Sequence, residues 1–133
     1  MILVTSSRKP AQRVRRLCRD LAFAIGGEYR PRGKAGLSDP LFSRDTILIL
    51  GSRGHHMGLQ VISAGEVVAD LSLGPVEEMP RTALITKGLQ VQDPRLFSLL
   101  SPLLPAVAVP EGAPGSLTFD GIQGRTVRMV ISP

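Results

Sequence analysis

One amphipathic stretch near the start of the chain limits the possible folds more than any other feature. Val14, Leu17, Cys18, Leu21, Ala22 and Ile25 recur at i, i+3, i+4 and i+7, the spacing that lines one face of a helix. At 100° per residue they fill an arc of about 140°. That is wide enough to pack on a sheet and too narrow for a helix buried all round. Gly26-Gly27 stands where the helix should stop, because glycine takes the left-handed C-terminal conformation without steric cost. Ahead of it, Ile2-Leu3-Val4-Thr5 reads as a short buried strand. Ser6-Ser7-Arg8-Lys9 then reads as a turn, with Ser7 placed to cap the helix and Pro10 tolerated in its first turn.

Residues 28–45 carry Pro31, Gly33, Gly36 and Pro40 and read mostly as loop. Thr46-Ile47-Leu48-Ile49-Leu50 is an uninterrupted apolar strand, the kind buried on both faces. Met57–Ser63 and Val67–Leu73 form a hairpin around Ala64-Gly65-Glu66. Gly74–Pro80 reads as a boundary, after which a similar order recurs. Ala83-Leu84-Ile85-Thr86 is a strand, and Asp93-Pro94 opens a helix through Leu96, Leu99 and Leu100 that Pro102 and Pro105 limit. Ala106–Val109, Ser116–Phe119 and Arg125–Ile131 are three further strands. The pattern predicts an α/β or α+β fold with a mixed sheet. It spans one domain over residues 1–133, with pseudo-repeat halves 1–74 and 81–133. A half of about 65 residues is marginal alone, so the halves should share a core.

Charge is unevenly placed. Residues 1–53 hold 11 Lys/Arg against 4 Asp/Glu, whereas residues 54–133 hold 5 against 7. A basic half joined to a slightly acidic one points to a face for polyanions. On the helix, Arg13, Arg15, Arg16 and Arg19 lie opposite the apolar stripe, interrupted only by Asp20. Like charges at i, i+4 repel, and a phosphate chain relieves that repulsion while releasing counterions. Ser7, Arg8 and Lys9 sit where a strand meets a helix N-terminus, a setting suited to one phosphate group. Arg32, Lys34 and Arg53 extend the basic surface from two turns. Phe23, one turn beyond Arg19, either stacks on a base or packs against the second half or a partner, and packing is favoured.

Other chemistries find little support. His55 and His56 are adjacent and point to opposite faces of a strand, and the sequence has no Cys-x-x-Cys pair for zinc. Cys18 lies in the apolar stripe, and Glu77-Glu78 is a loop pair without a partner acid. The glycine-rich phosphate loop of nucleotide enzymes is missing. Neither a catalytic constellation nor a cofactor is expected. With only Tyr29 and four phenylalanines, recognition should rest on phosphates and RNA shape rather than on an aromatic sheet. The single cysteine fits a reducing, cytoplasmic setting, and no apolar run reaches membrane-spanning length. Two other classes stay open: a subunit binding acidic proteins, and a small phosphate- or nucleotide-using enzyme.

The segment Thr5-Ser6-Ser7-Arg8-Lys9-Pro10-Ala11-Gln12-Arg13-Val14-Arg15-Arg16-Leu17 resembles the opening signature of the Brix/Imp4 family. That signature reads Thr-Ser-Arg-x-Pro-Ser-x-Arg and runs into a helix. Here an extra serine separates Thr5 from Ser7-Arg8, and Ala11 stands where serine is usual. Arg32-Gly33-Lys34, the strand at 46–50 and the glycine-containing turn before Met57 are also similar to that family. The resemblance implies two halves, each like a class IIa anticodon-binding domain. It implies a non-enzymatic ribosome-biogenesis factor, similar to the short archaeal members. Such a factor would bind pre-rRNA or a small guide RNA beside other ribosome-assembly proteins.

Overall fold

A computed structural model describes residues 2–7, 11–31, 46–53, 56–81, 85–109, 115–122 and 124–131, the Arg53 side chain excepted. Strand β1 (Ile2–Ser6) leads into helix α1 (Gln12–Ile25), followed by β2 (Glu28–Tyr29), β3 (Thr46–Arg53), β4 (His56–Ser63) and β5 (Glu66–Pro80). Then come β6 (Leu89–Val91), α2 (Pro94–Leu100), β7 (Ala106–Ala108), β8 (Ser116–Asp120) and β9 (Arg125–Ile131). The fold is α+β. All described strands join one mixed sheet of order β2-β1-β3-β4-β5-β9-β8-β6-β7.

Helix α1 ends as its sequence requires. Gly26 is left-handed at φ 69°, and the Gly27 and Gly26 amides donate to the Ala22 and Phe23 carbonyls, a Schellman motif. Its start differs from expectation. Ala11, not Ser7, is the N-cap, and no side chain caps the first turn. Ser7 instead prolongs the β1 ladder, its amide donating to the Leu50 carbonyl at 3.2 Å. Its side chain lies against Gly51, where a Cβ would come within 2.6 Å of the hydroxyl. Helix α2 is capped as expected, Asp93 accepting from the Arg95 amide at 2.9 Å.

Strand β3 pairs in parallel with β1 and antiparallel with β4, and it is buried on both faces. Leu48 and Leu50 join the main core, while Ile47 and Ile49 join Leu3 and Ile62 on the opposite face. The β4–β5 hairpin turns on Ala64 and Gly65, both at positive φ, which is the two-residue geometry that suits twisted strands.

The expected boundary at Gly74–Pro80 is instead the second half of β5. This strand pairs with β4 through Leu73 and with β9 from Leu73 onward. Pro75 falls in a register irregularity between Leu73 and Val76, where no ladder amide is needed, so the proline does not end the strand. Glu77 and Glu78 are therefore strand residues rather than a loop pair. The strand expected at 83–86 falls partly outside the described residues. Residues 82–84 lie outside the described residues, Ile85 and Thr86 are not in a strand, and the pairing falls to Leu89–Val91. Leu89 and Val91 are completely or almost completely buried whereas Ile85 is 43% exposed.

Helix α1 touches β1, β2 and β3 and also β8. Neighbouring strands lie about 4.8 Å apart, so a flat sheet would hold β8 too far from β3 for one helix to reach both. The sheet curls around α1. The main apolar cluster accordingly draws on Val4, Leu17 and Leu48 from the first half and on Leu117, Phe119 and Val127 from the second. Among the described residues no helix is long and apolar enough to cross a membrane.

Candidate nucleic-acid interface

Packing α1 inside the curl divides its arginines. Arg16 sends Nη2 to both carboxylate oxygens of Glu78 on β5, at 2.9 and 2.8 Å. Arg13 donates to the Val76 carbonyl at 2.7 Å and lies 3.6 Å from the same carboxylate. Glu78 therefore spreads one negative charge over two cations. Neighbouring Glu77 faces Arg128 of β9 at 3.9 Å, as the period-two alternation of a strand requires.

Asp20 sits differently from its expected place among the exposed arginines. Its side chain is 0% exposed, with Arg125 Nη2 3.0 Å from Oδ2. Its Oδ1 accepts from that same nitrogen at 3.2 Å and from the Ile122 amide at 3.0 Å. The carboxylate thereby ties α1 to the β8–β9 connection. Gly121 has to be small here, since a Cβ would fall 2.6 Å from the Asp20 carboxyl carbon.

Arg15 and Arg19 remain. Both are exposed, and neither has a carboxylate partner among the described residues. The Arg19 guanidinium lies over the Tyr29 ring, 5.6 Å from its centroid. Tyr29 pairs with Val4, whose side chain belongs to the α1-covered core, and its own ring packs against that cluster. Adjacent Glu28 pairs with Leu3 and so takes the opposite face. Burial pushes the Tyr29 phenol up and a nearby Cys18 adds to this, while Arg19 and Arg15 pull it down. The ring stays a neutral phenol at physiological pH. Phe23 is half-buried, with the Lys87 ammonium 3.9 Å from its ring centroid. The Gly88 amide, donating to the Ala24 carbonyl at 2.7 Å, pins that segment of the second half beside α1. The contact sets the Phe23 ring against a lysine of the second half.

Of the other sequence candidates, Ser7 lies at the end of β1, and Arg53 ends β3. Arg8, Lys9, Arg32, Lys34 and the Arg53 side chain lie outside the described residues. Local sequence pattern assigns no site role to Glu78, Arg125, Tyr29 or Lys87. The alternation around Val76 and Glu78 is the one local signal that could have placed Glu78 on a strand.

Reactive chemistry is sparse. Among the described residues no three His, Cys, Asp or Glu side chains gather as a metal site. A groove of about 590 Å³ opens beside the start of α1, between Arg13, Met57 and Pro75. Cys18 is fully buried and donates to the Thr5 carbonyl at 3.5 Å, and burial pushes its thiol from the ordinary 9.0 up to about 12. Native protein should therefore resist thiol alkylation at neutral pH and become reactive only in denaturant. The shift also has a sign: above pH ~9 the unfolded thiol ionises and the folded one does not. Alkali should thus weaken the native state relative to a Cys18→Ala variant. Denaturation midpoints measured against pH would show it.

No protein-family model matches the chain, and no curated protein does. Solved structures do. Mil, described as an archaeal Imp4-like protein, superposes with a TM-score of 0.68 at 22% identity, over 98% of this chain and 97% of that one. A probable ribosomal biogenesis protein from Aeropyrum pernix superposes with a TM-score of 0.60 at 17% identity, over 97% and 94%. Over nearly its whole length, the chain is similar in fold to an archaeal Imp4-like protein.

Proposed function

We propose that this chain is a non-catalytic RNA-binding factor of ribosome assembly, acting on pre-rRNA or a small guide RNA beside other assembly proteins in the cytoplasm. The observation that carries this reading is the division of the α1 arginines. The fold supplies a carboxylate for Arg13 and Arg16 yet leaves Arg15 and Arg19, one turn apart, exposed with no carboxylate partner among the described residues. Guanidinium groups so placed match phosphate oxygens in planar, paired geometry. The names of the two structural neighbours support the assembly role. In this reading Ser7, Arg8, Lys9, Arg32, Lys34 and Arg53 extend the same surface, and Arg13 and Arg16 border it while engaged by Glu78.

The two halves also fit a reading as paired anticodon-binding-like units. Short strands β2 and β7 run parallel to β1 and β6 at the two ends of the sheet, and β5 serves both halves. The repeat is imperfect, because β1 and β3 are parallel where β6 and β8 are antiparallel.

A salt titration tests the RNA reading. Log affinity for an rRNA fragment should fall linearly with log salt, with a slope of about −2 to −4 for a few phosphate contacts. A flat response would sink it.

A further inference from the structure

The exposed face of α1 carries more than charge. Arg15, Arg19 and Phe23 follow one another at four-residue steps, so they form a single row roughly 12 Å long. Two rings lie beside this row, each with a cation over it: Tyr29 of β2 with Arg19, and Phe23 of α1 with Lys87. A face made to grip only phosphates would need no rings beneath its cations.

Guanidinium is planar and weakly hydrated, and it stacks on aromatic faces. With Tyr29 beneath Arg19, 5.6 Å from ring centroid to guanidinium carbon, the exposed guanidinium is held near an aromatic face on one side and open to solvent on the other. Unpaired bases stack on such planes, whereas an A-form duplex turns its base faces inward and offers only phosphates, hydroxyls and groove edges. Tyr29 is itself held in place. The Arg30 amide donates to the Val4 carbonyl and the Thr5 hydroxyl donates to the Arg30 carbonyl at 2.7 Å, so the chain just after Tyr29 is tied to β1.

We propose that this row selects single-stranded RNA, with an unpaired base stacked on the Arg19–Tyr29 pair and an adjacent phosphate at Arg15. The inference rests on the RNA reading above and narrows it to one ligand form.

The test uses the full chain, a short labelled oligoadenylate and a blunt duplex of equal length. Oligoadenylate should bind the tighter of the two. Tyr29→Leu keeps apolar bulk over the core but removes the stacking face. It should weaken oligoadenylate binding about tenfold and leave duplex binding unchanged. Arg19→Lys keeps the charge and loses the plane, and it should show the same selective loss. Equal loss on both RNAs, no loss on either, or a duplex that binds as tightly overturns the inference, as does an acidic peptide that competes equally against both variants. If neither RNA binds with a salt dependence, the RNA reading itself fails. Thermal melts of both variants confirm that the fold is retained.

Discussion

Replacing Asp20 with alanine should destabilise the protein by about 3–5 kcal/mol, the usual result of removing one partner from a buried ion pair. Small domains hold only about 5–15 kcal/mol in total, so the variant should lie near unfolding. The carboxylate is inaccessible and serves the Arg125 guanidinium and the Ile122 amide together. Its loss strands a cation whose side chain is only 26% exposed and whose Nε is already buried without a hydrogen-bond partner among the described residues. A neutral cavity would cost less than that uncompensated charge. Urea midpoints for Asp20→Ala, Arg125→Ala and the double variant separate the two effects, and the double variant should cost less than the sum. Gly121→Ala should also destabilise, because its methyl enters the space of the same carboxyl group. If Asp20→Ala cost less than ~1 kcal/mol, the buried pair would not be what joins α1 to the β8–β9 connection.

Reversing Arg15 and Arg19 to glutamate should have the opposite profile, with a large effect on binding and little on stability. Affinity for RNA should fall by about 100-fold, and the salt slope should shrink by about two contacts. Both positions are exposed without a carboxylate partner among the described residues, and glutamate sustains a helix nearly as well as arginine. The melting transition should therefore move by no more than about 0.5 kcal/mol in stability. Arg16→Glu is the informative contrast. It places a second carboxylate against Glu78, so stability should suffer as well. Wild-type affinity in the Arg15/Arg19 double variant would remove the observation on which the proposed function stands.

Both predictions depend on contacts between residues distant in sequence, and this separates what local pattern reveals from what it hides. The Arg16–Glu78 pair is 62 residues apart and the Asp20–Arg125 pair 105. A helical wheel shows that Arg13, Arg15, Arg16 and Arg19 share the polar arc. It is silent on which of them meets a carboxylate, because that depends on where the sheet brings β5 and β9. Asp20 obeys the same rule: the wheel sets it among the arginines, and only the β8–β9 connection packed against it makes it buried. Tyr29 gives no local signal because a two-residue strand has no periodicity of its own and exists only through pairing with β1.

The sequence by itself determined the elements whose signals are local. These include the α1 stripe and its Gly26-Gly27 stop, the doubly buried strand at 46–50, the hairpin at Ala64-Gly65, the Asp93-Pro94 helix start and the strand at Arg125–Ile131. Each follows from side-chain period or backbone preference over a few residues. The tertiary structure alone decided that Ser7 extends a strand, that β5 runs on through Pro75, and that Leu89–Val91 enters the sheet. It also decided which arginines of α1 meet a carboxylate among the described residues. Burial and charge pairing are properties of the assembled sheet, and a sheet that curls around one helix brings together residues that no local window contains.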